Sequence, residues 1–161
     1  MFGYTKAGKT ASCHILANSP LRAELQNGEL IYKATSQRYS HAVIGNSNQS
    51  QTEMPNIFET KYRSNGKLVS VTLLDQPGHG DSYGFHRIFS SGYFHYRTFS
   101  KTPRLKFILA FKKDDLRGTA EKFKGTISNF INTFSNYKTV KGKILNASVF
   151  LVTNVPPKSS I

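Results

Sequence analysis

The chain has 161 residues, room for one domain, and a single cysteine, Cys13, which excludes a disulfide framework within it and suits a reducing compartment. Lysine and arginine outnumber aspartate and glutamate by 22 to 9, a balance that fits nucleic acid, an anionic membrane surface, an acidic protein partner or simply a solvated basic surface. No apolar run approaches the length of a transmembrane helix and no charged-then-apolar leader is seen, so a cytoplasmic protein is expected.

The first stretch, Gly3, Tyr4, Thr5, Lys6, Ala7, Gly8, Lys9 and Thr10, reads G-x-x-x-x-G-K-T without a mismatch. This is the phosphate-binding P-loop pattern. Glycines let the backbone wrap closely around phosphate oxygens, and the N–H groups of the loop and of the following helix N-terminus form an anion site. Lys9 is placed to reach the β- and γ-phosphates and the Thr10 hydroxyl to ligate Mg²⁺. Only Met1 and Phe2 precede the loop, where a buried strand of several residues is normal, so the chain reads as clipped at this end.

Residues 9–17 read as the helix after the loop, stopped by Ser19-Pro20. Two short β-like runs, 30–34 and 41–44, suggest a small hairpin around the polar residues 36–38. Residues 45–55, rich in Asn, Gln and Ser, read as a loop, and Thr52 (Ser50 as the alternative) is the candidate to meet Mg²⁺ from it. Residues 57–62 and 68–74 are β-like and flank Asn65-Gly66, a strong hairpin signal. The second run delivers Asp75 into Asp75-Gln76-Pro77-Gly78. A strand ending in Asp is the Walker-B arrangement, in which the carboxylate holds Mg²⁺.

The next helix carries Phe85, Phe89, Tyr93 and Tyr96 at spacings of four, four and three, which favours a core-packing stripe over a base-stacking platform. Residues 107–111 read as a buried strand and 116–134 as a helix with Phe123, Ile127, Phe130, Ile131 and Phe134 on one face. Residues 149–152 read as a second buried strand, ending at Thr153-Asn154. Strands alternating with helices predict an α/β fold with a mostly parallel sheet and the ligand at the strand ends.

Together the P-loop, the loop at Thr52, the Asn65-Gly66 hairpin and Asp75 to Gly78 resemble a TRAFAC-class P-loop GTPase domain. The run LLDQPGHGDS is similar to the corresponding stretch of septin-like and immunity-associated (AIG1-type) GTPases, and the chain as a whole is similar to P-loop proteins of ciliates. The resemblance implies one domain over residues 1–161, a three-layer α/β P-loop NTPase sandwich with one antiparallel edge hairpin, clipped at both ends. It implies Mg²⁺-dependent binding of GTP/GDP and slow GTP hydrolysis by a nucleotide-dependent switch, with the Gly78 N–H sensing the γ-phosphate and His79 positioning the attacking water. It assigns Thr153 and Asn154 to the base. The family's N/T-K-x-D does not follow them, because Val155-Pro156-Pro157 stand there, so ATP is not excluded. Lys112-Lys113-Asp114-Asp115 looks like that motif but comes one β-α unit too early. The competing expectation is a GTPase-like binding or scaffold module with a degenerate nucleotide site, in a homodimer across the nucleotide face or a larger assembly. An ATPase acting on nucleic acid ranks last, since no RNA-binding signature accompanies the basic charge. An anionic membrane surface stays open as a partner.

Overall fold

The computed structural model describes residues 1–45, 52, 54–78 and 85–154. In chain order it runs α1 (Lys9–Leu16), β1 (Leu21–Gln26), β2 (Glu29–Ala34), a 3₁₀ turn (Gln37–Tyr39), β3 (Asn56–Ser64), β4 (Lys67–Asp75), α2 (Phe85–Lys101), β5 (Phe107–Lys112), a second 3₁₀ turn (Lys113–Leu116), α3 (Glu121–Asn132), α4 (Tyr137–Asn146) and β6 (Ser148–Thr153). No helix among the described residues is long and apolar enough to cross a membrane.

The expected large, mostly parallel sheet of a three-layer sandwich is not formed. The strands make three separate two-stranded sheets: β1–β2 antiparallel, β3–β4 antiparallel and β5–β6 parallel. The reason lies in residues 1 and 2. The Phe2 N–H donates to Ile108 O at 2.8 Å and the Phe2 carbonyl accepts from the Ala110 N–H at 2.7 Å, while the Met1 nitrogen donates to Leu74 O. This two-residue segment therefore lies between β4 and β5 but gives only an isolated parallel bridge to Leu109, too little for a ladder joining the two pairs.

Two cores flank that seam. Phe2, Phe107, Leu109, Phe111, Phe130 and Ile144 form one, packed by Phe99, Phe123, Ile127 and Phe134. Cys13, Ala17, Tyr39, Ala42 and Phe58 form the other, with Met1 and Leu73 against it. In the second core, His14 is fully buried. Its Nε2 donates to Ala42 O at 2.8 Å, and Nδ1 is 2.9 Å from the Ser19 hydroxyl, which donates to it. These bonds satisfy both ring nitrogens and make His14 a structural pin between α1 and the segment after β2.

Several local expectations are corrected. Residues 41–44 are not a strand. The hairpin partner of β2 is β1, joined through Asn27 (φ 52°) and Gly28 (φ 79°), which supply the positive φ that a two-residue turn needs. The expected helix over 116–134 is shorter, because a 3₁₀ turn and Ala120 in the left-handed region (φ 52°) precede α3. Helix α4 was not foreseen. The aromatic stripe of α2 is outside: Phe89, Tyr93 and Tyr96 are each more than half exposed. The buried side is set instead by His95 and Phe99, whose rings meet Phe2, Phe107 and Phe134. Strand β6 is not buried either, since Val149, Phe150 and Val152 are exposed.

Candidate functional site

The loop of residues 3–8 is braced by four different parts of the chain. A Cβ at Gly3 would stand 2.4 Å from Ala110 O, so β5 passes too close for any side chain there. Tyr4 lies over Gly125 of α3, where a Cβ would meet its hydroxyl at 2.6 Å. Gly78 presses against Thr5: a Cβ there would lie 2.7 Å from both the N and the Cα of Thr5. The Thr153 hydroxyl donates to Ala7 O at 3.0 Å, and its side chain packs on Gly8. Gly8 adopts φ 74° and starts α1 with no side-chain cap, which leaves the helix N–H groups directed into the loop. Lys9 is buried, and its Nζ donates to the carbonyls of Gly3 at 3.1 Å and Tyr4 at 2.9 Å. This folds the ammonium back across the loop mouth.

The three residues expected to hold a metal converge. Thr10 Oγ1 donates to Asp75 Oδ2 at 2.7 Å and lies 3.4 Å from Thr52 Oγ1. Asp75 is fully buried at the end of β4. Its Oδ2 also accepts from Asn56 Nδ2 at 3.2 Å, whereas Oδ1 has no hydrogen-bond partner among the described residues. Thr5 Oγ1 and Gln76 Oε1 are buried in the same condition. Leaving such groups unsatisfied costs about 1–3 kcal/mol each. A carboxylate oxygen and hydroxyls at a phosphate loop are hard oxygen donors, and they fit Mg²⁺. Among the described residues no group of three or more His, Cys, Asp or Glu could hold a metal by itself. That also suits Mg²⁺, which commonly takes one or two protein ligands and completes its shell with substrate phosphates and water.

A cleft of about 660 Å³ opens beside the loop along α1. Lys6, Lys9 and Lys112 line it, and no carboxylate does so among the described residues. Burial pushes the Lys112 ammonium below the ordinary lysine value; Asp115 opposes that, and the neighbouring Lys6 charge adds to it. An anion entering the cleft would favour all three charges. Cys13, directly behind the loop, is buried, and burial first, then the Asp75 charge, push its thiol up to about 12. It is a packing residue, not a nucleophile.

The base-binding expectation fares differently. Both Thr153 and Asn154 line the cleft. The Thr153 hydroxyl, however, is within reach of Ala7 O and Phe111 O, which makes it a brace of the phosphate loop. Asp115 accepts from the Lys112 N–H at 3.1 Å and so closes a 3₁₀ turn instead of reading a base. His79, together with Ser50, lies outside the described residues. Asn56 was missed, although a signal existed: counting back from the Asn65-Gly66 turn places it opposite Asp75 in the hairpin register. The same count from Asn27-Gly28 would have placed Leu30 and Tyr32 on one face of β2.

No protein-family model matches this chain, and no curated protein or solved structure matches it either, so the likeness to GTPases rests on its motifs and on the geometry they adopt.

Proposed function

We propose that this chain binds a Mg²⁺-nucleoside triphosphate, GTP by resemblance, hydrolyses it slowly and acts as a nucleotide-dependent switch. The observation that carries this is the 2.7 Å bond between Thr10 and a buried Asp75 whose second oxygen has no partner among the described residues. Residues 65 positions apart meet at the N-terminus of one helix, with a buried lysine beside them. In the proposed complex the N–H groups of residues 3–10 and the Lys9 ammonium hold the phosphates. Thr10, Asp75 and Thr52 hold Mg²⁺, which supplies charge neutralisation between the β- and γ-phosphates. The Gly78 backbone, already against Thr5, stands where its N–H meets the γ-phosphate. His79 orients a water for in-line attack. The oxygen–phosphorus bond to the β-phosphate breaks, the water's proton passes to the released groups, and GDP and phosphate leave.

The alternative is a docking module with a degenerate site. The observation favouring it is that the Thr153 hydroxyl serves the loop backbone and not a base. Single-turnover phosphate release separates the two. For the switch, His79→Ala lowers release by on the order of 10²–10⁴-fold with nucleotide affinity unchanged. Binding without any release in the wild-type chain, shown folded by circular dichroism, leaves the docking module.

A further inference from the structure

The β1–β2 hairpin divides its side chains sharply. Directly opposed residues share a face, so Leu21, Ala23, Leu25, Leu30, Tyr32 and Ala34 form one apolar face. Arg22, Glu24, Gln26 and Lys33 lie on the other, where Glu24 pairs with Lys33 at 2.7 Å. An amphipathic hairpin ordinarily turns its apolar face to the core. Here Leu30 is 58% exposed and Tyr32 42%, while the buried member of the hairpin is Ile31, on the charged side. The apolar face is turned outward, and Leu21, Leu30 and Tyr32 line the same cleft as Lys9 and Thr10. That cleft follows α1 from Thr10 to Ile15, about 7.5 Å along the helix axis at 1.5 Å per residue. One end is cationic with backbone donors, and the other is aliphatic and aromatic.

We propose that the apolar face of the β1–β2 hairpin is the seat of the nucleobase, with Tyr32 stacked on the ring and Leu21 and Leu30 flanking it. This rests on the nucleotide reading above and moves base recognition from the end of β6 to the hairpin. Phosphates fixed at the helix N-terminus leave the sugar and base to extend along the cleft, and the hairpin is the apolar surface they meet. Stacking uses a π-face that every base possesses. No carboxylate lines the cleft among the described residues to accept the N1 and N2 hydrogens of guanine. The seat therefore holds purines tightly without telling them apart well.

The test is calorimetry on the full chain with Mg²⁺ and three titrants: GTP, ATP and inorganic tripolyphosphate. Tyr32→Ala should weaken GTP and ATP alike by roughly 5- to 150-fold, the range of one base–aromatic stack, and leave tripolyphosphate unchanged. Tyr32→Phe should restore both nucleotides, and Leu30→Ala should weaken them in the same sense. Lys9→Ala should weaken all three titrants. Tripolyphosphate binding that persists while Tyr32→Ala leaves GTP untouched overturns the base seat alone. Equal weakening of tripolyphosphate makes Tyr32 structural and overturns it too, as does a preference for GTP over ATP above about a thousandfold, near 4 kcal/mol. Wild-type chain that binds none of the three overturns the nucleotide reading itself.

Discussion

Replacing Thr10 by valine removes one oxygen and keeps the side-chain shape. The lost bond is short, at 2.7 Å, and its acceptor is a carboxylate with no solvent exposure. Hydrogen bonds to charged groups contribute about 1.5–3 kcal/mol. Two competing effects are small. Threonine and valine have nearly equal helix propensity, so α1 itself is not weakened. Thr10 is only half-buried, so the added methyl gains little from desolvation. Asp75 keeps its bond from Asn56 at 3.2 Å, which limits the loss to one contact. The expected destabilisation is thus about 1.5–3 kcal/mol, or a fall in Tm of about 3–12 °C for a domain of this size. Urea unfolding should show a lower midpoint with an unchanged m-value. A double-mutant cycle with Asp75→Asn should recover a coupling energy of the same order as the single loss. In parallel, Thr10→Val should lose the Mg²⁺-dependent part of nucleotide affinity, and Thr10→Ser should restore it. Unchanged stability with a coupling energy near zero would refute the link between the phosphate loop and β4 on which the proposed function rests.

Lys9→Ala should abolish measurable triphosphate binding by calorimetry, because the phosphates lose their cation in a half-enclosed cleft; equal affinity in both proteins refutes that role. Gly78→Ala should destabilise the fold by about 1–3 kcal/mol, since the new Cβ meets main-chain atoms of Thr5 at 2.7 Å, and trimming Thr5 to glycine should not rescue it. Thermal melting of the single and double variants measures this. Cys13 should resist alkylation at pH 8 until denaturant is added. Its thiol stays protonated in the folded chain up to about 12, against 9.0 when unfolded. Above pH 9 the unfolded state therefore binds fewer protons than the folded one, and stability should fall as pH climbs from about 9 towards 12. Chemical denaturation across that range, compared with Cys13→Ala, isolates the contribution.

Much of the candidate site was legible before any coordinates, because it is written in short-range chemistry. The glycines at 3 and 8 answer to close approach and positive φ, and both demands are local. The Asn65-Gly66 turn sets the β3–β4 register by counting alone, and with it the position of Asp75 at the strand end. The buried strand at 107–111 also followed from its unbroken apolar run. Less obvious features were readable but went unread: the Asn27-Gly28 turn carried the same signal, and it would have replaced the strand expected at 41–44.

What the sequence by itself determined is thus the set of local elements around the phosphate loop and the register of each hairpin, since turn chemistry and periodicity act over a few residues. Only the tertiary structure decided how those elements combine. A two-residue segment between β4 and β5 forms one bridge, so the strands remain three pairs and do not merge into one sheet. Which face of an amphipathic element is buried was likewise not a local property. Phe99 and His95 of α2 found the rings of Phe2 and Phe107, which left Tyr93 and Tyr96 outside. The β1–β2 hairpin turned its six apolar residues towards the cleft. Periodicity states that a face is apolar, but contacts between residues distant in sequence decide what that face meets.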